Sequence, residues 1–213
     1  HELRTPINNM MMQTQVTLSH DRDAADYRAN LQSNLEELER MSRMVSDMLF
    51  LAKADNSLVA PNRETLDLHE EVAKLFDFYE ALASARHIHL AQSGTATVFA
   101  DRLMIQRALS NVLSNAIRFT PEGMAVEVII GKDADQAMIA IANPGPEIPA
   151  EHLHRVFERF YRIDAARREG DTENVGLGLA IAKSIVEMHG GMIGAESAQG
   201  RTCFTITLPR RLV

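Results

Sequence analysis

The chain has 213 residues, 46% of them hydrophobic, which is enough to bury a core in one or two domains. A net charge of -7 argues against a nucleic-acid surface, and a lone cysteine, Cys203, excludes an internal disulfide or thiolate metal cluster and fits a reducing compartment. No run of about 18 apolar residues is present and no signal peptide is visible, so this stretch is expected neither to span nor to contact a membrane.

The sequence opens on His1 inside a helical pattern and reads as a piece of a longer protein. Leu3, Ile7, Met10, Thr14 and Thr17 step by four and three, the spacing of a helix-packing seam, with Pro6 expected to bend it. After the polar break at residues 19–23, a second stripe runs through Leu31, Leu35, Leu38, Ser42, Val45, Leu49 and Ala52, flanked by charges such as Glu36 and Arg43. A helical hairpin cannot bury such a stripe alone. The expectation is a homodimer whose two hairpins form a four-helix bundle; the alternative is packing on the chain's own second domain.

At the start, His1 and Thr5 share a helix face with Glu2 adjacent. A neutral imidazole is a competent nucleophile toward phosphorus, and a neighbouring carboxylate can hold the other ring N–H and fix the tautomer. A terminal histidine can equally be incidental to where the chain begins, and the residues alone leave both readings open.

Residues 58–65, polar and broken by Pro61, read as a linker between a hairpin at 1–57 and a second domain at 66–213. In that domain Leu68 to Ala83 is helical, His87 to Ala91 and Ala96 to Ala100 are short strands, and Asp101 is placed to cap a following helix. Ala125 to Gly131 and Gln136 to Ala142 form a hairpin, and Gly191 to Ser197 and Cys203 to Leu208 add two strands. Helices over one mixed or antiparallel sheet make an α/β sandwich, so the whole chain is α+β.

The helix from Asp101 to Pro121 carries the clearest chemistry. Asn111, Asn115 and Arg118 sit at i, i+4 and i+7 on one face of an otherwise apolar helix. Inward-facing amides need partners, and a hydrated Mg²⁺ with a polyphosphate supplies them: amide oxygens ligate without added charge, and Arg118 can bind phosphate. Taken alone the pattern also fits a solvated face. Gly176 and Gly178 open a later helix, where small residues, free N–H groups and the helix dipole attract phosphate. Between them, Asn143 to Pro149 forms a sharp Pro/Gly loop, and Phe157, Phe160 and Tyr161 are expected as core anchors of a hinge, not ligand contacts, beside the polar stretch 164–174.

The order of these pieces resembles the cytoplasmic core of a sensor histidine kinase over essentially the whole chain. HELRTP resembles the phosphoacceptor box, NVLSNAIRFTP the asparagine box, NPGPEIP and GLGLAI the two glycine boxes, and FERFYR the aromatic box. The text SNLEELERMSRMVSDMLFLAKADN is most similar to copper- and silver-responsive heavy-metal sensor kinases. The resemblance implies a dimeric four-helix bundle followed by a sandwich of the histidine-kinase/Hsp90-like ATPase type, from the cytoplasmic portion of a bacterial inner-membrane protein. It implies that His1 takes the γ-phosphoryl group of ATP, that Glu2 serves its ring as acid/base, and that Thr5 orients water for phosphatase work. Asn111 and Asn115 would hold Mg²⁺, Arg118 a phosphate, and Phe119 would lie beside the nucleotide. Asn143 and Gly145 would meet it from the first glycine box, and Gly176, Leu177 and Gly178 from the second. The implied partner is a response-regulator receiver domain.

Three positions depart from the family pattern. Asn143 replaces the aspartate that contacts the adenine amino group, keeping an acceptor without its charge, while Glu147 and Asn174 stand where glycine is usual. The substitutions at Asn143 and Glu147 also keep open a catalytically weak nucleotide-binding dimerisation scaffold. An ATPase of the same fold is disfavoured, because no carboxylate stands between Asn111 and Pro121 to activate water.

Overall fold

The computed structural model describes residues 3–163 and 175–210. Two helices come first, α1 (Arg4–Leu18) and α2 (Ala24–Asp55), folded into a hairpin in which Asn34 donates to Thr14 Oγ1 at 3.0 Å. Asp23 caps α2 by accepting the Asp26 N–H at 2.8 Å. Pro6 falls in the first described turn of α1, where a missing N–H costs no helical bond, and the helix continues unbroken to Leu18.

Along α2 the leucine stripe stays open: Leu31, Leu35, Leu38 and Leu49 are 68, 52, 53 and 56% exposed. Packing on the chain's own second domain is confined to the end of the helix. There Leu51 is buried, Arg107 pairs with Asp47 and lies over the Phe50 ring at 4.5 Å, and Arg159 pairs with Asp55 at 2.6 Å.

The second part is a two-layer sandwich. Its elements are β1 (Arg63–Asp67), α3 (Leu68–Ser84), β2 (His89–Gly94), β3 (Thr97–Asp101), α4 (Arg102–Phe119), β4 (Ala125–Lys132) and β5 (Gln136–Pro144). A short α5 (Ala150–Leu153), α6 (Gly178–Met188), β6 (Met192–Ala198) and β7 (Arg201–Pro209) follow. Strand order in the main sheet is β2-β4-β5-β7-β6, with β2 and β4 parallel and the other pairs antiparallel. Alternate residues such as Val126, Val128, Ile139, Ile141, Phe204 and Ile206 are buried, as a strand period of two requires when helices cover one face. Each fully buried aliphatic side chain contributes roughly 1.5–3 kcal/mol.

Local chemistry moves several boundaries. Residues 63–65, read above as linker, pair instead as part of β1 against β3, because Leu66 buries while Glu64 and Arg63 find outside partners. Arg102 meets Glu64 at 2.7 Å, and Arg63 donates to the Met188 carbonyl at 3.1 Å. Strand β2 starts at His89, since His87 turns the chain with φ of 52°. Behind β1, Glu71 is buried yet stays ionised. Burial favours its neutral form, but hydrogen bonds from Lys74 and Gln106 and the charges of Lys74 and Arg102 outweigh that and lower its pKa.

Candidate nucleotide-binding site

Helix α4 supplies one wall of the site. Asp101 caps it by accepting the Met104 N–H at 3.0 Å. Ile105, Leu109, Val112, Leu113, Ala116 and Ile117 are buried in the core. That orientation turns Asn111, Ser114, Asn115, Arg118 and Phe119 into a cavity of about 340 Å³. At the far end, Arg86 donates to the carbonyls of Ile117, Arg118 and Thr120 at 2.8, 3.1 and 2.8 Å. These bonds satisfy a C-terminus that the helix cannot satisfy itself and fix the turn bearing Arg118.

A second wall is the start of α6. Gly176 has φ of +76°, and a Cβ there would lie 2.9 Å from the Phe160 backbone. At Gly178 a Cβ would come within 3.4 Å of Asn111 Oδ1, so its absence keeps a groove between helix start and amide. Asn111 Nδ2 is buried without a protein partner. An orphaned amide facing a glycine-lined helix start is what a phosphate-bearing ligand would complete.

The end of β5 closes the third side. Asn143 is 3% exposed and donates from Nδ2 to the Pro144 carbonyl at 2.9 Å, which leaves Oδ1 as an acceptor. Its partner across the ladder is Thr202, which also lines the cavity, with Phe204 next along β7.

Two expected contacts sit elsewhere. Gly145 backs the cavity without lining it: a Cβ there would lie 2.6 Å from the Phe119 carbonyl, so the glycine serves close packing of loop on helix. Leu177 is buried in the core beneath the helix start. The aromatic segment divides as well. Phe157 meets Phe204 edge-on at 6.2 Å in the core, Phe160 is 39% exposed with φ of 62°, and Tyr161 lines the cavity. Tyr161 shares a hydrogen bond with His152 and lies under Arg155 at 4.2 Å, which holds its ring in place. Thr5 is exposed on the first turn of α1, and His1, Glu2, Asn174 and the polar stretch 164–174 lie outside the described residues. Thr202, Phe204 and Ile148 were not named as site residues because only strand register and loop closure bring them here, and Tyr161, expected as a core anchor and not a ligand contact, lines the cavity instead.

Fold and cavity together define an α/β sandwich with a pocket suited to a phosphate-bearing ligand, joined to a helical hairpin. Residues 100–212 match the family described as histidine kinase-, DNA gyrase B-, and HSP90-like ATPase, and residues 1–57 match the His Kinase A (phospho-acceptor) domain. The chain belongs to the histidine kinase-, DNA gyrase B-, and HSP90-like ATPase family, with a His Kinase A (phospho-acceptor) domain ahead of it. It is 49% identical over 213 residues to sensor histidine kinase CusS of Escherichia coli O157:H7, covering 99% of this chain and 44% of that protein. Against sensor protein CopS of Pseudomonas syringae pv. tomato it is 50% identical over 170 residues, 80% of this chain and 35% of that one. The chain thus spans less than half the length of these curated relatives. The structure of histidine kinase ThkA in complex with response regulator protein TrrA shares the fold with a TM-score of 0.80 at 23% identity, covering 99% of this chain and 59% of that one.

Proposed function

We propose that this chain is the catalytic core of a two-component sensor histidine kinase that autophosphorylates His1 from ATP and passes the phosphoryl group to an aspartate on a response regulator. The carrying observation is one cavity that gathers Asn111, Asn115 and Arg118 of α4 with Gly176 and Gly178 before and at the start of α6. Bound Mg²⁺ would neutralise charge on the phosphates, and Asn111 and Asn115 are the residues to hold it. Arg118 pairs with phosphate oxygens, and the N–H groups opening α6 donate to those that remain. Asn143 Oδ1 accepts from the exocyclic amino group of adenine. On the helical hairpin, His1 is the residue to accept the phosphoryl group, with Glu2 as the acid/base for its ring, and Thr5 the residue to position water when the reaction runs as a phosphatase.

The open leucine stripe of α2 supports a homodimer, since a second hairpin would cover what this chain leaves exposed. The likeness to CusS and CopS supports a copper or silver response. We place the core on the cytoplasmic side of a membrane-anchored parent; among the described residues no helix is long and apolar enough to cross a membrane.

Calorimetric titration with a non-hydrolysable ATP analogue, with and without Mg²⁺, tests the pocket, and labelling with radioactive ATP tests transfer. Binding strengthened by Mg²⁺ and an acid-labile, alkali-stable label lost in His1→Gln are expected. No heat from well-folded protein would overturn the nucleotide reading, and an acid-stable label would overturn histidine as acceptor.

A further inference from the structure

Glu147, the residue that departs from the family's glycine, lies where the loop after β5 meets the turn joining β6 and β7. Its Oε1 accepts the Gly200 N–H at 2.7 Å, and Gly145 N–H donates to the Gly200 carbonyl at 2.9 Å. Both polar groups of one turn residue are therefore committed to the loop. That turn is held in left-handed backbone, with φ of 54° at Gln199 and 71° at Gly200, a conformation that costs energy at the non-glycine position. Further along, Ile148 N–H donates to Ser197 Oγ at 2.9 Å, and that hydroxyl meets Thr202 Oγ1 at 2.8 Å. Prolines at 144, 146 and 149 deprive the loop of N–H donors, so few bonds are available to attach it. Glu147, Ile148 and Thr202 all line the cavity.

We propose that Glu147 is a positioning residue for the nucleotide base. Its carboxylate latches the loop to the β6–β7 turn and so sets the wall that carries Ile148 at a fixed separation from Asn143 and Thr202. The latch acts through Gly200 and not through the ligand. It stands on the β5 side of the cavity, whereas the phosphate-facing groups Asn111 and Gly178 belong to α4 and α6. This inference rests on the reading of the cavity as a nucleotide site. It predicts that loss of the latch weakens recognition of the base and leaves recognition of the phosphates alone.

The test is titration of ATP and of inorganic tripolyphosphate into wild type, E147A and E147Q, with amide exchange of Gly200 followed by NMR. E147A should weaken ATP binding roughly three- to tenfold, as loss of one charge-assisted bond at an open site does, and leave tripolyphosphate within about twofold. E147Q keeps an acceptor oxygen at the same reach and should restore ATP binding to within about twofold of wild type. The Gly200 amide should exchange faster in E147A and not in E147Q. If E147A does not fold, E147D, one methylene short, takes its place against E147Q with the same expectations. Unchanged ATP affinity, or equal weakening of ATP and tripolyphosphate, would overturn the latch. Wild type that binds neither ligand would overturn the nucleotide reading and the latch with it.

Discussion

Gly178 and Asn111 face each other so closely that a methyl group on the glycine would come within 3.4 Å of the Asn111 amide oxygen. Helix start and amide thus share one groove, and its width is set by a missing side chain. Gly176, two residues earlier, is different: its φ is +76° and its Cβ would overlap the backbone of Phe160.

These two glycines should therefore fail in different ways when changed to alanine. Gly178→Ala keeps melting temperature within a few degrees, since alanine is favoured in a helix, but lowers ATP affinity about tenfold by filling the groove. Gly176→Ala costs about 1–3 kcal/mol in backbone strain and lowers the melting temperature accordingly. Thermal melts beside analogue titrations separate the two. A large loss of stability in Gly178→Ala would show that its role is structural.

Asn111 gives a sharper contrast. Its Nδ2 is buried without a protein partner, so the folded state bears a desolvation cost that a phosphate oxygen would relieve, while Oδ1 is the atom to ligate Mg²⁺. Asn111→Ala should leave the melting temperature equal or raised, while the gain in ATP-analogue affinity on adding Mg²⁺ disappears. Melting curves and paired titrations check this, and a variant that melts lower yet keeps its Mg²⁺ dependence would rule it out.

How much of this was readable from the sequence differs from residue to residue. The face formed by Asn111, Asn115 and Arg118 was legible because helical period and apolar neighbours fix it locally. Asn143 was legible only through resemblance, and Thr202 not at all, since its place opposite Asn143 depends on a β5–β7 register that no local pattern encodes. Strand β1 escaped notice because five mostly polar residues pair at an edge and bury little beyond Leu66. Tyr161 was read as a core anchor because aromatic residues usually are; the turn at Phe160 redirects it to the cavity.

The stalk makes a separate prediction. Leu35 and Leu38 are more than half exposed on the single chain, so glutamate at both positions removes little intrachain packing. The double variant should keep its helical circular dichroism and its ATP-analogue affinity but sediment as a monomer where wild type sediments as a dimer. Equal sedimentation of the two proteins would place the dimer seam on another face.

Acid should weaken the same domain from the α4 end. His189 is 4% exposed; its Nδ1–H donates to the Ile185 carbonyl at 2.8 Å and its Nε2 accepts the Asp101 N–H at 3.0 Å. One neutral tautomer makes both bonds, whereas a second ring proton would set donor against donor. Burial above all, helped by the charge of Arg63 and opposed by the Ile185 bond and the Asp101 carboxylate, holds the imidazole below its ordinary value of 6.5. Between the folded value and that ordinary one the unfolded chain binds the extra proton, so stability rises with pH across this window and is lost as pH falls into it. Asp101 is also the cap of α4, so protonation loosens the helix that carries Asn111 at its first turn. Scanning calorimetry at about pH 7.5 and about pH 5.5 should show a fall in melting temperature for wild type that is smaller in His189→Gln, which cannot titrate there, even though the variant melts lower at the higher pH. Parallel pH dependence in both proteins would remove His189 from the account and leave the carboxylates to explain acid sensitivity.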